Sequence, residues 1–158
     1  MTPTSGTTPP NDLNGDGTSD IIIKNTDGSI YTLLMNGTTV TSGAYLLGAN
    51  SPWSVTHTAD LDGDSKADVI LRNTDGSIYA LIMNGTTVTS RAYLIGADTV
   101  WEVSHTPDLN GDGRADILLK NIDGSIYALL MNGTTVTSGA LLIGAGTGWV
   151  VVPLGTLD

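Results

Sequence analysis

Short apolar runs alternate with turn-forming residues along the whole chain, and the runs are too brief for helices. Ile21-Ile22-Ile23, Val69-Ile70-Leu71 and Ile117-Leu118-Leu119 each meet a Gly-containing turn within a few residues, at Gly28, Gly76 and Gly124. Apolar runs of that length, bounded by turn signals, read as strands. A second strand is predicted over residues 30–35, and Asn36-Gly37 then supplies the strongest short hairpin signal. A third strand follows from 38 to about 47, with a bulge expected at Ser42-Gly43. A Gly/Ala/Asn/Pro loop leads to a fourth strand over 53–58.

The same order recurs with a constant spacing of 48 residues, measured from Asp12 to Asp60 to Asp108. Such a period marks a repeat architecture. Four antiparallel strands per period form a meander, the unit of a β-propeller blade. The fold class is therefore all-β, with three four-stranded antiparallel blade repeats at 12–59, 60–107 and 108–155, after a polar, Pro/Thr-rich lead or linker at 1–11. If the strand beginning at Trp is the innermost of each blade, the first repeat lacks its own, and 149–154 is an inner strand without followers. The blades are then permuted, and the C-terminal strand completes a split blade. A β-trefoil, which also has three four-stranded repeats, is the alternative.

Ahead of each first strand lies a nine-residue acidic loop, at 12–20, 60–68 and 108–116. Positions 1, 3 and 5 carry Asp12, Asn14 and Asp16; Asp60, Asp62 and Asp64; and Asp108, Asn110 and Asp112. Position 7 offers the carbonyls of Thr18, Lys66 and Arg114, and position 9 closes with Asp20, Asp68 and Asp116. These are the hard oxygen donors that Ca2+ takes, about one ion per repeat. Without a cation, carboxylates a few ångströms apart repel by about 1 kcal/mol per pair even in water. An EF-hand is excluded because its Glu at position 12 is replaced by Ile23, Leu71 and Leu119, and a strand rather than a helix follows.

The net charge of −10 belongs to these loops, which hold ten of the sixteen carboxylates; the other six balance the six Lys and Arg. That distribution argues against nucleic acid, which attracts a basic face, and gives no reason to expect an anionic membrane as partner. Cysteine is absent. No secretory leader or transmembrane run is visible.

The pattern D-x-[ND]-G-D-G-x-x-D followed by an apolar strand, once per blade, resembles the FG-GAP/VCBS repeats of integrin α-subunit propellers, integrin-like fungal lectins and many secreted bacterial proteins. The resemblance covers nearly all of residues 12–155 and implies that the loop residues named above are calcium ligands. It also implies an extracellular or cell-surface location. The second loop departs from the pattern, with Ser65 in place of Gly and Asp62 in place of Asn. Family propellers close with four or more blades, so three repeats imply a homo-oligomer, a dimer with six blades being favoured.

No nucleophile elbow, phosphate loop or zinc spacing occurs, and enzymatic activity is not expected. His57 and His105 share one repeat position and read as structural, since repetition places them in different blades. Trp53, Trp101 and Trp149 read as packing residues between blades, with sugar stacking as the functional alternative. Asn36, Asn84 and Asn132 begin glycosylation sequons, but hairpin geometry alone accounts for Asn-Gly there. Arg91, Asp98 and Glu102 occur in the second repeat only. The leading functional expectation is a self-assembling calcium-binding module with a structural or adhesive role; a multivalent lectin binding glycans, a module binding an extracellular protein, and a propeller fragment with no ligand are the others.

Overall fold

The computed structural model describes residues 9–152. Eleven strands run β1 (Ile21–Lys24), β2 (Ile30–Asn36), β3 (Thr39–Leu47), β4 (Trp53–Ala59), β5 (Asp68–Asn73), β6 (Ile78–Asn84), β7 (Thr87–Ile95), β8 (Trp101–His105), β9 (Ile117–Asn121), β10 (Ile126–Asn132) and β11 (Thr135–Ile143). They form three antiparallel sheets: a first of β1-β2-β3, a middle of β4-β5-β6-β7 and a third of β8-β9-β10-β11. Each is a meander, as the sequence predicts, and the Trp strand leads its sheet. Three separate sheets set aside the β-trefoil, whose repeats share one barrel.

Tight turns set the register. Asp27 Oδ1 accepts bonds from the amide and hydroxyl of Ser29 at 2.8 and 2.6 Å, and Asp75 does the same for Ser77. Between β2 and β3 the bulge falls at Thr41, one residue ahead of the expected place, because the Thr41 hydroxyl bonds the Leu34 carbonyl across the gap at 3.2 Å. A second bulge at Leu46 recurs at Leu94 and Leu142.

Alternation along the middle sheet divides its side chains between two cores. Val69, Leu71, Leu81 and Met83 face the first sheet, where Ile22, Leu34, Leu46 and Leu47 pack against them. Ile70, Ile78, Ala80 and Ile82 face the third sheet, with Ile117, Leu119 and Met131. This is the period-2 signature of a sheet covered on both sides. Among the described residues neither end of the stack is covered: Ile21 and Ile23 are 43% and 47% exposed, where Val69 and Leu71 are 0% and 1%.

Of the expected C-terminal strand, residues 149–152 lie outside any sheet, and Pro153 and Leu154 fall beyond the described residues. The lead is described only from Pro9 onward.

Candidate metal loops and the contacts between repeats

The three acidic loops share one hydrogen-bond frame. Asp12 Oδ1 accepts the amides of Gly15 (2.7 Å) and Asp16 (3.2 Å), and its Oδ2 accepts that of Gly17 (2.9 Å). Asp60 holds Gly63, Asp64 and Ser65 in the same way, and Asp108 holds Gly111, Asp112 and Gly113. Position 5 then fixes position 7: Asp16, Asp64 and Asp112 each accept the amide two residues on at 2.9 Å. At position 6, Gly17 and Gly113 take φ of 88° and 83°; Ser65 takes 68°. The second loop therefore keeps the frame at a conformational cost that a glycine avoids.

Position 9 ties the loop to its sheet. Asp20 Oδ2 accepts the Leu13 amide at 2.8 Å and its Oδ1 the Met35 amide at 2.9 Å. Asp68 makes the same pair with Leu61 and Met83, and Asp116 with Leu109 and Met131. All three carboxyls are buried. Burial pushes Asp68 up to about 7, against the pull of the Met83 and Leu61 amides; the charges of Asp62 and Asp64 push the same way. Asp62 is also raised, first by burial and then by Asp64 and Asp60. Asp16 is lowered, chiefly by the Thr18 hydroxyl, and Asp112 by the Arg114 amide.

In the second loop, carboxylate oxygens of Asp60, Asp62 and Asp68 lie within 4.8 Å of one another. Calcium holds its oxygens at about 2.3–2.6 Å, so ligands of one ion sit no more than about 5 Å apart. The donor set fits a hard divalent cation in both spacing and chemistry. Lys66 reaches Asp64 at 3.2 Å and Arg114 reaches Asp112 at 3.4 Å, exposed pairs of small energetic weight.

The loops also join consecutive repeats. The Asp12 and Leu13 carbonyls accept the Ala67 and Gly85 amides of the next repeat at 2.6 and 2.8 Å, and Asp60 and Leu61 accept those of Ala115 and Gly133 at 2.7 and 2.9 Å. The Leu13 and Leu61 side chains are fully buried as plugs in the two inter-sheet cores. Sequence reasoning passed over these leucines. A single large apolar residue at position 2 of an otherwise polar nonapeptide, three times over, is the signal that identifies them.

Trp53 packs on the core between the first and middle sheets, 5.4 Å from the Tyr79 ring, and Trp101 on the next core, 6.1 Å from Tyr127. Trp149 is 69% exposed. His57 is half-buried, with Nε2 3.2 Å from the Ser104 carbonyl and Nδ1 unpartnered. Nε2–H therefore donates, and burial holds the ring below its ordinary pKa. That is a neutral, structural histidine, and His105 pairs locally with Ser104. Glu102 bonds Arg72 across the middle and third sheets.

A family model described as FG-GAP-like repeat matches residues 12–71 and again 60–119. The chain belongs to the FG-GAP-like repeat family. No curated protein and no solved structure is significantly similar to it. Both matches begin at position 1 of an acidic loop, at Asp12 and Asp60, and so start one 48-residue period apart. Among the described residues no helix is long and apolar enough to cross a membrane.

Proposed function

We propose that the chain is a non-catalytic, calcium-binding β-propeller-type repeat module of the cell exterior that associates with copies of itself and serves a structural or adhesive role. The convergence of Asp60, Asp62 and Asp68 oxygens within 4.8 Å, in a loop frame that recurs twice more, is the observation that carries the reading. Asp12, Asn14, Asp16 and Asp20 would hold the first ion, with the Thr18 carbonyl, and their equivalents the other two. Bound calcium would replace mutual repulsion with a shared ligand field and fix each loop against its sheet. The family's repeats are typically non-catalytic, in keeping with this role.

Thermal melting in EDTA and in 10 mM CaCl2 tests the proposal. With site affinities of about 10⁻⁴–10⁻³ M, typical of extracellular modules, 10 mM calcium adds about 1.4–2.7 kcal/mol per site. A melt that does not respond to calcium would refute it. The exposed Tyr45 and Tyr93 rings, set edge-on to Tyr31 and Tyr79 at 4.8 and 4.7 Å, favour glycan stacking as the second reading. A glycan array with no binder at high protein concentration would remove it.

A further inference from the structure

The two ends of the stack are complementary halves of the contact that the molecule already makes twice internally. At the end formed by the third repeat, Leu109 is the position-2 plug; it is 45% exposed, whereas Leu13 and Leu61 are 0%. Leu142 is the bulge residue whose counterparts Leu46 and Leu94 pack on the following sheet; it is 52% exposed. At the other end, Ile21, Ile23 and Val40 stand where Val69, Leu71 and Val88 receive the preceding repeat. Ile21, Ile23 and Val40 are 43%, 47% and 51% exposed.

The backbone repeats the same story. A Cβ on Gly85 or Gly133 would meet the preceding loop at 3.8 and 3.7 Å, through Asn14 and Asp62; on Gly37 it would meet nothing within 4 Å. A Cβ on Gly15 or Gly63 would touch the following loop at 3.3 Å, whereas Gly111 has open space. The leading edge of β1 is unpaired among the described residues, while β5 and β9 have β4 and β8 there. Trp149, Val150 and Val151 line a groove of about 260 Å³ beside Lys120, Asn121 and Ile126 of the third sheet. Ser54 and Val55 of β4 likewise share a groove with Lys24 and Ile30 of the first sheet. The C-terminal segment thus already lies where the inner strand of a following sheet belongs.

We infer that a second copy of this chain docks head-to-tail on the first, its first sheet stacking on the third sheet of its neighbour. This rests on the reading of the chain as a self-associating repeat module and specifies the surface. Leu109 of one copy enters the core beside Ile21, Ile23 and Val40 of the next. The Asp108 and Leu109 carbonyls accept the amides of Ser19 and Gly37, as Asp12 and Leu13 accept those of Ala67 and Gly85. Trp149, Val150 and Val151 pair with β1, in the register that sets Trp53 against Asn73 and Val55 against Leu71, which places Val151 opposite Ile23. Buried apolar plugs and strand addition at an open edge are strong association elements. The two surfaces differ, so the contact is heterologous and closes into a ring or runs on as a filament.

Native mass measured in calcium for three proteins, the unaltered chain, Leu109→Lys and Ile23→Glu, tests this. Both side chains are exposed, so the isolated variants keep their fold, checked by a calcium-dependent melt equal to that of the parent at low protein concentration. The parent is expected to be multimeric. Each variant alone should associate at least about thirtyfold more weakly, as expected for a hot-spot lesion. An equimolar mixture should give a 1:1 dimer, because each variant retains the end that the other has lost. A parent that is monomeric at high concentration overturns the docking, as does a variant with undiminished association or a mixture that fails to pair. Loss of the calcium response in the parent would instead strike the metal reading and leave the mass result to stand alone.

Discussion

The middle sheet and the two outer sheets have nearly the same sequence but different surroundings. Val69 and Leu71 of the middle sheet are 0% and 1% exposed, and Ile21 and Ile23 at equivalent positions of the first are 43% and 47%. Burial here is a property of having a neighbour, not of the residue. By contrast, the position-9 aspartates bond within their own repeat, and all three are buried to the same degree, at 3%, 0% and 0%. The contrast separates what a repeat does for itself from what it does for the next one.

The sharpest test of that separation is the plug. Leu61→Ala should cost about 3–4 kcal/mol, the usual range for a fully buried leucine. Leu109→Ala, measured by urea unfolding at a concentration too low for association, should stay within about 0.5 kcal/mol. Equal costs would mean that the third repeat's end is covered within a single chain. The position-9 clamps should behave oppositely. Asp68→Ala and Asp116→Ala each strand two amides, Leu61 and Met83 or Leu109 and Met131, at about 2–3 kcal/mol apiece in EDTA. Divergence between the two variants would show that the clamp depends on the neighbouring repeat after all.

Calcium should sharpen the comparison through pH. Asp68 keeps its proton up to about 7 without the ion, and ligation requires the carboxylate. A folded-state pKa raised above the unfolded value stabilises the metal-free fold at low pH, and that contribution fades as pH rises through about 7. The calcium-induced rise in melting temperature should therefore be larger at pH 8 than at pH 5.5. An equal or smaller rise at pH 8 would show that Asp68 is not a ligand. The smallest expected effect is Ser65→Gly, which should stabilise the second loop by about 1 kcal/mol by removing a left-handed serine. Gly17→Ser should cost a similar amount in the first loop, and paired melts of the two variants give the check.

Strands, hairpins and acidic loops were legible in the sequence because each is dictated by local chemistry: short apolar runs bounded by turns, Asn-Gly, and alternating carboxylates. The bulge was misplaced toward Ser42-Gly43 because a glycine was the visible cue, whereas the deciding contact is the Thr41 hydroxyl on the Leu34 carbonyl. Leu13 and Leu61 went unnoticed because their signal is the recurrence of one leucine at position 2 of three polar loops rather than a motif within any one of them, and their partners lie in the next repeat. For the same reason, three tryptophans of one repeat position divide into Trp53 and Trp101 on cores and Trp149 in solvent.

Because each inter-repeat contact uses the same positions 48 residues apart, array length is free to vary in evolution. Unequal recombination that gains or loses one whole unit leaves every surviving junction chemically intact. Selection can therefore change the number of units without first inventing a new interface.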